Sequence, residues 1–301
     1  NLGLDLQGGS YLLLEVQTDV LIKEEFENFS DTVRIISREN RVKINNIDKQ
    51  NDVLKVRFDS SEKLNIIREE FLKNYRSVTF SITNNIASIS IDEIYKKSIQ
   101  DGAIKQSLEI VRKRIDESGT KEPLIQRSGR DRILLQLPGV KDPERIKDLL
   151  GKTAKLNFHM VDDDDTKSLS LNIAPFGRMI VSDISNEEIK YLLEKKSRVG
   201  GENLIDAYAS FDPTEGHAVS FRFDTTGAQK FGKATSENIG KRFAVVLDGV
   251  VITAPVINSA ITGGSGIITG NFTSQEATDL AVLLRAGALP APLEIVEERS
   301  V

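Results

Sequence analysis

Apolar residues along this chain fall into short runs and periodic stretches that predict alternating strands and helices. Residues 11–16, Tyr-Leu-Leu-Leu-Glu-Val, have the pattern of a buried strand, and Gly8-Gly9 ahead of them permits a sharp entry that a Cβ would obstruct. A strand needed so early, with no Met before it, leads us to expect that further chain precedes Asn1. Residues 18–91 then read helix, strand, strand, helix, strand, strand. Val20, Phe26, Phe29, Val33 and Ile36 recur at roughly helical spacing, 41–47 and 53–58 alternate, Leu64, Ile67, Phe71 and Leu72 mark a second helix, and 78–82 and 86–91 join through Asn84-Asn85.

Ser90-Ile-Asp-Glu93 has capping-box spacing, and Ile94, Ile104, Leu108, Val111 and Ile115 predict a long helix ended by Gly119. Strands follow at 124–127 and 133–137. Asp142-Pro143 opens a helix that stops at Gly151, and Leu156, Phe158 and Met160 alternate as another strand. Asp162 to Asp165 interrupt this order, and the polar stretch to Ser170 reads as a linker. Beyond it we expect a strand at 179–181, a helix through Ile189, Leu192 and Leu193, a strand at 218–223 and a helix around Phe231. A hairpin follows at 243–253, where Asp248-Gly249 suits a turn needing positive φ. Gly263 to Gly270 read as a second linker. Thr273-Ser-Gln-Glu276 caps a helix carrying Ala277, Leu280, Leu283 and Leu284, and 293–301 form a last extended segment.

The fold class expected is α+β. A ferredoxin-like base is assembled from 1–17, 92–161 and 271–301, with a small α/β insert at 18–91 and an inserted α/β head at 162–270. The candidate hinges between head and base are Asp162, Asp163, Asp164, Asp165 and Thr166 on one side, and Gly263, Gly264, Gly266, Gly270 and Asn271 on the other.

With 301 residues the chain has room for two or three domains, and 39% hydrophobic with 28% charged residues describes an ordinary folded protein. No run of eighteen uncharged apolar residues occurs, so a membrane span or signal peptide is expected only outside this stretch. Forty basic against forty-five acidic residues give a net charge of -5, which argues against nucleic acid as a partner. The absence of Cys excludes disulfides, thiolate metal sites and cysteine nucleophiles.

Four stretches are familiar in sequence order: GLDLQGGSYLLLEV, DRILLQLPGVKDPERIKDLLGKTAKLNFHMV, FRFDTTGAQKFGKATSENIGKRFAVVLDGVVITAPVI and GNFTSQEATDLAVLLRAGALPAPLEIVEERSV. Together they resemble the periplasmic part of the SecD family, subunits of the bacterial protein-export translocase, and cover well over half the chain. Only 18–91 lacks a recognisable motif. The resemblance implies membrane helices before Asn1 and after Val301, a base beside the bacterial inner membrane on its periplasmic face, and a mobile head. It also implies SecF and the SecYEG translocon as partners, unfolded secretory polypeptide as the bound chain, and head movement coupled to proton motive force. The proton-carrying groups of the family lie in membrane helices. Gln7 stands where the family usually has a basic residue, so no charge-based role is carried over to that position.

The residues offer little to an enzyme. Thr262-Gly-Gly-Ser-Gly266 lacks the Lys-Ser/Thr pair and the following helix of a phosphate-binding loop. Asp162 to Asp165 lack the alternating ligands, Gly and distal Glu of a calcium loop. His159 and His217 have no sequence-near partner that would fix a tautomer, and Glu24-Glu25 and Glu297-Glu298 do not share a face. No catalytic, cofactor-binding or metal-ligating residue is assigned, and no cofactor is expected. Tyr208 and Phe211 are candidate contacts for polypeptide, while Phe221 and Phe223 alternate on one strand face and read as core. A periplasmic domain of a proton-driven exporter of small molecules or lipids is the alternative.

Overall fold

The computed structural model describes residues 8–300; Gln7 and the chain ends Asn1 and Val301 lie outside them. The chain begins with β1 (Gly9–Val16), α1 (Thr18–Glu39), β2 (Ile44–Gln50), β3 (Val53–Phe58), α2 (Leu64–Asn74), β4 (Thr79–Thr83) and β5 (Ile86–Ser90). It continues through α3 (Glu93–Glu117), β6 (Leu124–Ser128), β7 (Arg132–Pro138), α4 (Pro143–Gly151), β8 (Leu156–Met160), α5 (Thr166–Leu171), β9 (Arg178–Ser182), β10 (Lys190–Glu194) and β11 (Val199–Gly200). The last part is β12 (Leu204–Asp212), β13 (Gly216–Phe223), α6 (Thr225–Glu237), β14 (Phe243–Leu247), β15 (Val250–Thr253), β16 (Ser265–Phe272), α7 (Ser274–Ala286) and β17 (Leu293–Ser300).

The base is a four-stranded antiparallel sheet in the order β17-β1-β7-β6. Ser10 pairs with Ser300, so the two ends of the described chain run side by side. Ser10, Leu12, Leu14 and Val16 alternate as the buried face of β1, as a strand's period of two requires. They pack with Ile104, Val111 and Ile115 of α3, and with Ile146 and Leu150 of α4. The ferredoxin-like expectation concerns these six elements, which run β-α-β-β-α-β with the fourth strand beside the first.

The small unit follows the predicted element order. Its sheet runs β2-β3-β5-β4, and α1 and α2 pack against it around Phe26, Phe29 and Phe71, whose rings meet edge to face at 5.4 and 5.6 Å. One cap differs from expectation. Asp92, not Ser90, caps α3 by accepting the Tyr95 N–H at 2.7 Å, because Ser90 is held in β5 opposite Val53 and Thr79. The Thr273–Glu276 box on α7 is complete, with both reciprocal hydrogen bonds formed.

The head places the sheet β11-β8-β14-β15 beside the sheet β12-β13-β16, with α6 and α7 packed on them and the β9–β10 hairpin outside. This corrects three expectations. Ile189, Leu192 and Leu193 do not form a helix: residues 190–194 pair with β9, and Leu192 and Leu193 are both buried because each face of β10 is covered. That adjacent pair, with Ile189, imitates helical spacing. Residues 263–270 are not a linker, since β16 pairs with β13 from Ser265 onward. The head's limits also move. β8, expected in the base, joins the head sheet between β11 and β14, and α7 buries Ala277, Leu280, Ala281 and Leu284 in the head core. The links between these elements and those of the four-stranded β17-β1-β7-β6 layer lie at 152–155 and 287–292.

Candidate functional site

Five phenylalanines organise the head interior. The ring of Phe158, at the centre of β8, lies between 5.6 and 5.8 Å from those of Phe221, Phe223, Phe231 and Phe243. Phe221 and Phe223 are both buried on β13. Beside this aromatic floor opens a cleft of about 320 Å³, rimmed by Pro255, Val256, Ile257 and Ile261 on one side and by Gly266 and Ile267 on the other. The loop at the rim is pinned by Thr235 on α6, whose hydroxyl donates to Phe231 O and accepts the Ile261 N–H, each at 2.9 Å. A Cβ on Gly266 would lie 2.5 Å from the Phe221 ring, so glycine is what lets β16 pass flat across it. Among the described residues no ionisable side chain lines the cleft. Its lining offers apolar contact with a few hydroxyl and amide groups.

Tyr208 and Phe211 do not reach this cleft. They stand exposed on β12, on the far side of β13 from β16, where the Phe211 ring meets the edge of His217 at 5.5 Å. His159 is buried and its Nδ1 lies 2.8 Å from Glu194 O, which fixes that nitrogen as the donor; burial lowers its pKa. Among the described residues no group of three or more His, Asp or Glu side chains is placed to hold a metal ion.

The residues expected as hinges are built into the head. Asp162 accepts from Arg178 Nε at 2.7 Å, Asp163 pairs with Arg242, and Asp165 caps α5 by accepting the Ser168 N–H at 3.0 Å, which makes Thr166 its first residue. Asp164 N–H turns back to Asp162 Oδ1 at 3.3 Å. Gly264 O accepts the Phe223 N–H at 2.8 Å, and Gly266, Gly270 and Asn271 are residues of β16. Gly263 alone has open space around it. A Cβ on Gly270 would meet Ile252 and Phe272 at 2.7 Å, so close approach, not freedom, is the reason for glycine there.

Arg178 first, and then the Asp165 and Asp164 N–H groups, hold the Asp162 carboxyl below the usual carboxylate range. A depressed folded-state pKa contributes stability that is present above the unfolded value and lost as pH falls through the folded one. Asp162→Asn is therefore expected to lower Tm at neutral pH by an amount that shrinks to nothing in acid. A difference constant across the pH series would show that this carboxylate does not carry the effect.

The actual crossing is gathered around Arg114 of α3, a residue with no exposed surface. Its guanidinium donates to Leu149 O at 2.7 Å, Lys152 O at 2.5 Å, Thr153 O at 3.1 Å and Gly287 O at 3.2 Å. One side chain of the base thus holds the outgoing and the returning strand of the connection. From the head, Asp248 in the β14–β15 turn accepts the Ala154 and Lys155 N–H groups at 2.9 and 2.8 Å and the Thr153 hydroxyl at 2.5 Å. Burial lowers the Arg114 pKa to about 10, partly offset by Asp248, which leaves it charged at neutral pH. Further out, Arg285 of α7 meets Glu117 of α3 at 2.8 Å, and Arg145 of α4 meets Asp279 of α7 at 2.9 Å.

This two-part architecture has counterparts. Residues 178–291 match the SecDF P1 head subdomain, 104–163 the N-terminal part of the P1 domain of protein translocase subunit SecDF, and 1–20 the SecD/SecF GG motif. The protein translocase subunit SecD of Rickettsia conorii is 43% identical over 304 residues, covering 100% of this chain and 59% of the relative. The chain belongs to the SecD family. That of Rhodobacter capsulatus is 40% identical and also covers all of the chain, which spans 56% of its length. The crystal structure of SecDF in its super-membrane-facing form superposes with a TM-score of 0.60 at 26% identity, over 100% of this chain and 31% of that one. A second, of the membrane component SecDF that enhances protein export, gives 0.54 at 34% identity, over 66% of this chain and 94% of that one.

SecD relatives extend beyond this stretch, which spans less than two thirds of their length. No helix among the described residues is long and apolar enough to cross a membrane. The boundary between the matched P1 segments falls after β8, whereas the sheet pairing puts β8 within the head.

Proposed function

We propose that this chain is the periplasmic polypeptide-handling module of a SecD subunit. Its head holds apolar side chains of an emerging secretory polypeptide and swings against the base, in a complex with SecF and the SecYEG translocon. Proton motive force acts through membrane helices outside this stretch. The observation that carries the reading is the open aromatic-floored cleft without an ionisable lining group. Tyr208 and Phe211 offer a second, separate surface along β12, an edge strand to which an extended chain can add.

The hinge of this reading lies at 152–155 and 287–292, with Arg114 between the two crossings. Rotation there slides α7 past α3 and α4 and breaks the Glu117–Arg285 and Arg145–Asp279 pairs. Cysteines introduced at Glu117 and Arg285, in a stretch that has none of its own and with any cysteines elsewhere in the complex replaced, can be joined by a cleavable crosslinker. The intact complex is expected to stop exporting when the link is complete and to resume on cleavage. Undiminished export by fully linked complex would overturn the moving head.

A further inference from the structure

Residues 21–103 lie between the matched GG-motif and P1 segments, so the small unit carries no assigned role. It is fixed to the base without a joint. α1 follows β1 directly, with the Gln17 N–H donating to Pro292 O at 3.0 Å and Leu21 packed on the base core. α3 starts in one core, where Tyr95 and Ile99 pack, and ends in the other, where Ile104, Val111 and Ile115 are buried. Tyr95 OH to Glu25 and Lys96 to Asp52, both 2.5 Å, brace the attachment. A continuous helix shared by two cores makes the unit and the base one frame.

The far half of α1 reaches the head. Asp31, Ile35 and Arg38 recur at i, i+4 and i+7 and so share one flank, with Asp31 and Arg38 roughly 10 Å apart along the axis. Lys195 of the head lies 2.7 Å from Asp31, and the Arg38 guanidinium stands 3.8 Å above the ring of Phe176. These two head residues form one patch, because the Lys195 N–H donates to Gly177 O at 2.9 Å across the end of the β9–β10 hairpin. The flank and the patch meet at two points of matched spacing. The contact is not sealed: Ile35 is 49% exposed, and Leu171, Ile173 and Phe176 on the head remain open to solvent. One exposed ion pair and one cation–π contact are each weak enough to break reversibly.

We propose that the 18–91 unit is an outrigger whose α1 flank latches the head in one orientation through Asp31–Lys195 and Arg38–Phe176. It rests on the reading that the head moves, but the latch is measurable at rest. Spin labels at Glu27→Cys on α1 and Lys167→Cys on the head, both exposed positions, report the separation by pulsed electron resonance. The parent is expected to show one dominant short distance. Asp31→Lys, which opposes Lys195 with a like charge, and Arg38→Met are each expected to deplete that population several-fold, with unchanged melting of the chain.

The charge exchange Asp31→Lys with Lys195→Asp is expected to restore it, which a merely structural role for Asp31 would not predict. Unchanged distances in both single variants, or no restoration by the exchange, would overturn the latch. The crosslink between positions 117 and 285 judges the moving head separately. Restored distances together with undiminished export of the linked complex would keep the contact and remove the swing.

Discussion

Arg114→Met is expected to lower the free energy of unfolding by about 3–5 kcal/mol, because it leaves buried carbonyls without a donor. The change strips donors from four carbonyls, those of Leu149, Lys152, Thr153 and Gly287. Each orphaned buried acceptor costs about 1–3 kcal/mol, but the four share one site and water can enter where the segments relax, so the sum overstates the loss. Arg114→Lys keeps a charge and up to three donors on a single nitrogen, which cannot span both crossings, and is expected to recover only part of the loss.

Urea denaturation gives the magnitude, and amide exchange gives the location. Protection should fall first at 152–155 and 287–292, while the base and head cores exchange at their parent rates. Parent-like unfolding of Arg114→Met would mean that the junction is held by something other than this guanidinium.

Arg114 was within reach of the sequence. It lies three residues after Val111 and directly before Ile115, on the apolar stripe of α3 where an arginine needs acceptors. What could not be read was who the acceptors are, since Gly287 lies 173 positions further on. Local chemistry was legible wherever it was self-contained. Asn84 and Asp248 adopt positive φ in the turns expected of them, and Asp142-Pro143 and Thr273–Glu276 start helices.

Glycine was the residue that misled, because a missing side chain has two meanings. Gly266 and Gly270 lack a Cβ to let β16 lie against Phe221, Ile252 and Phe272, yet in sequence they look like a flexible tether. The partners of the aspartates were hidden for the same long-range reason: Arg178 and Arg242 pair with Asp162 and Asp163 from 16 and 79 positions away. Phe231 and Phe243 were visible as members of a helix and a strand, but the cleft exists only through their convergence with Phe158 and with a rim at 255–261 that has no periodicity.

Val256→Asp combined with Ile267→Asp is expected to weaken binding of an unfolded secretory polypeptide by roughly 10–100-fold, the loss of one well-buried apolar anchor. The two side chains stand 48% and 54% exposed on opposite rims, so the cost to folding is small. Each carboxylate would have to lose water against an aromatic floor when a side chain enters, which penalises the complex but not the free head. Titration followed by NMR distinguishes the cleft from the strand edge. If Tyr208→Asp with Phe211→Asp abolishes binding while the rim variant retains it, the extended chain adds to β12 and the cleft is not the anchor. Loss in the rim variant alone assigns the anchor to the cleft, and parent affinity in both pairs would remove the head surface from the proposed function.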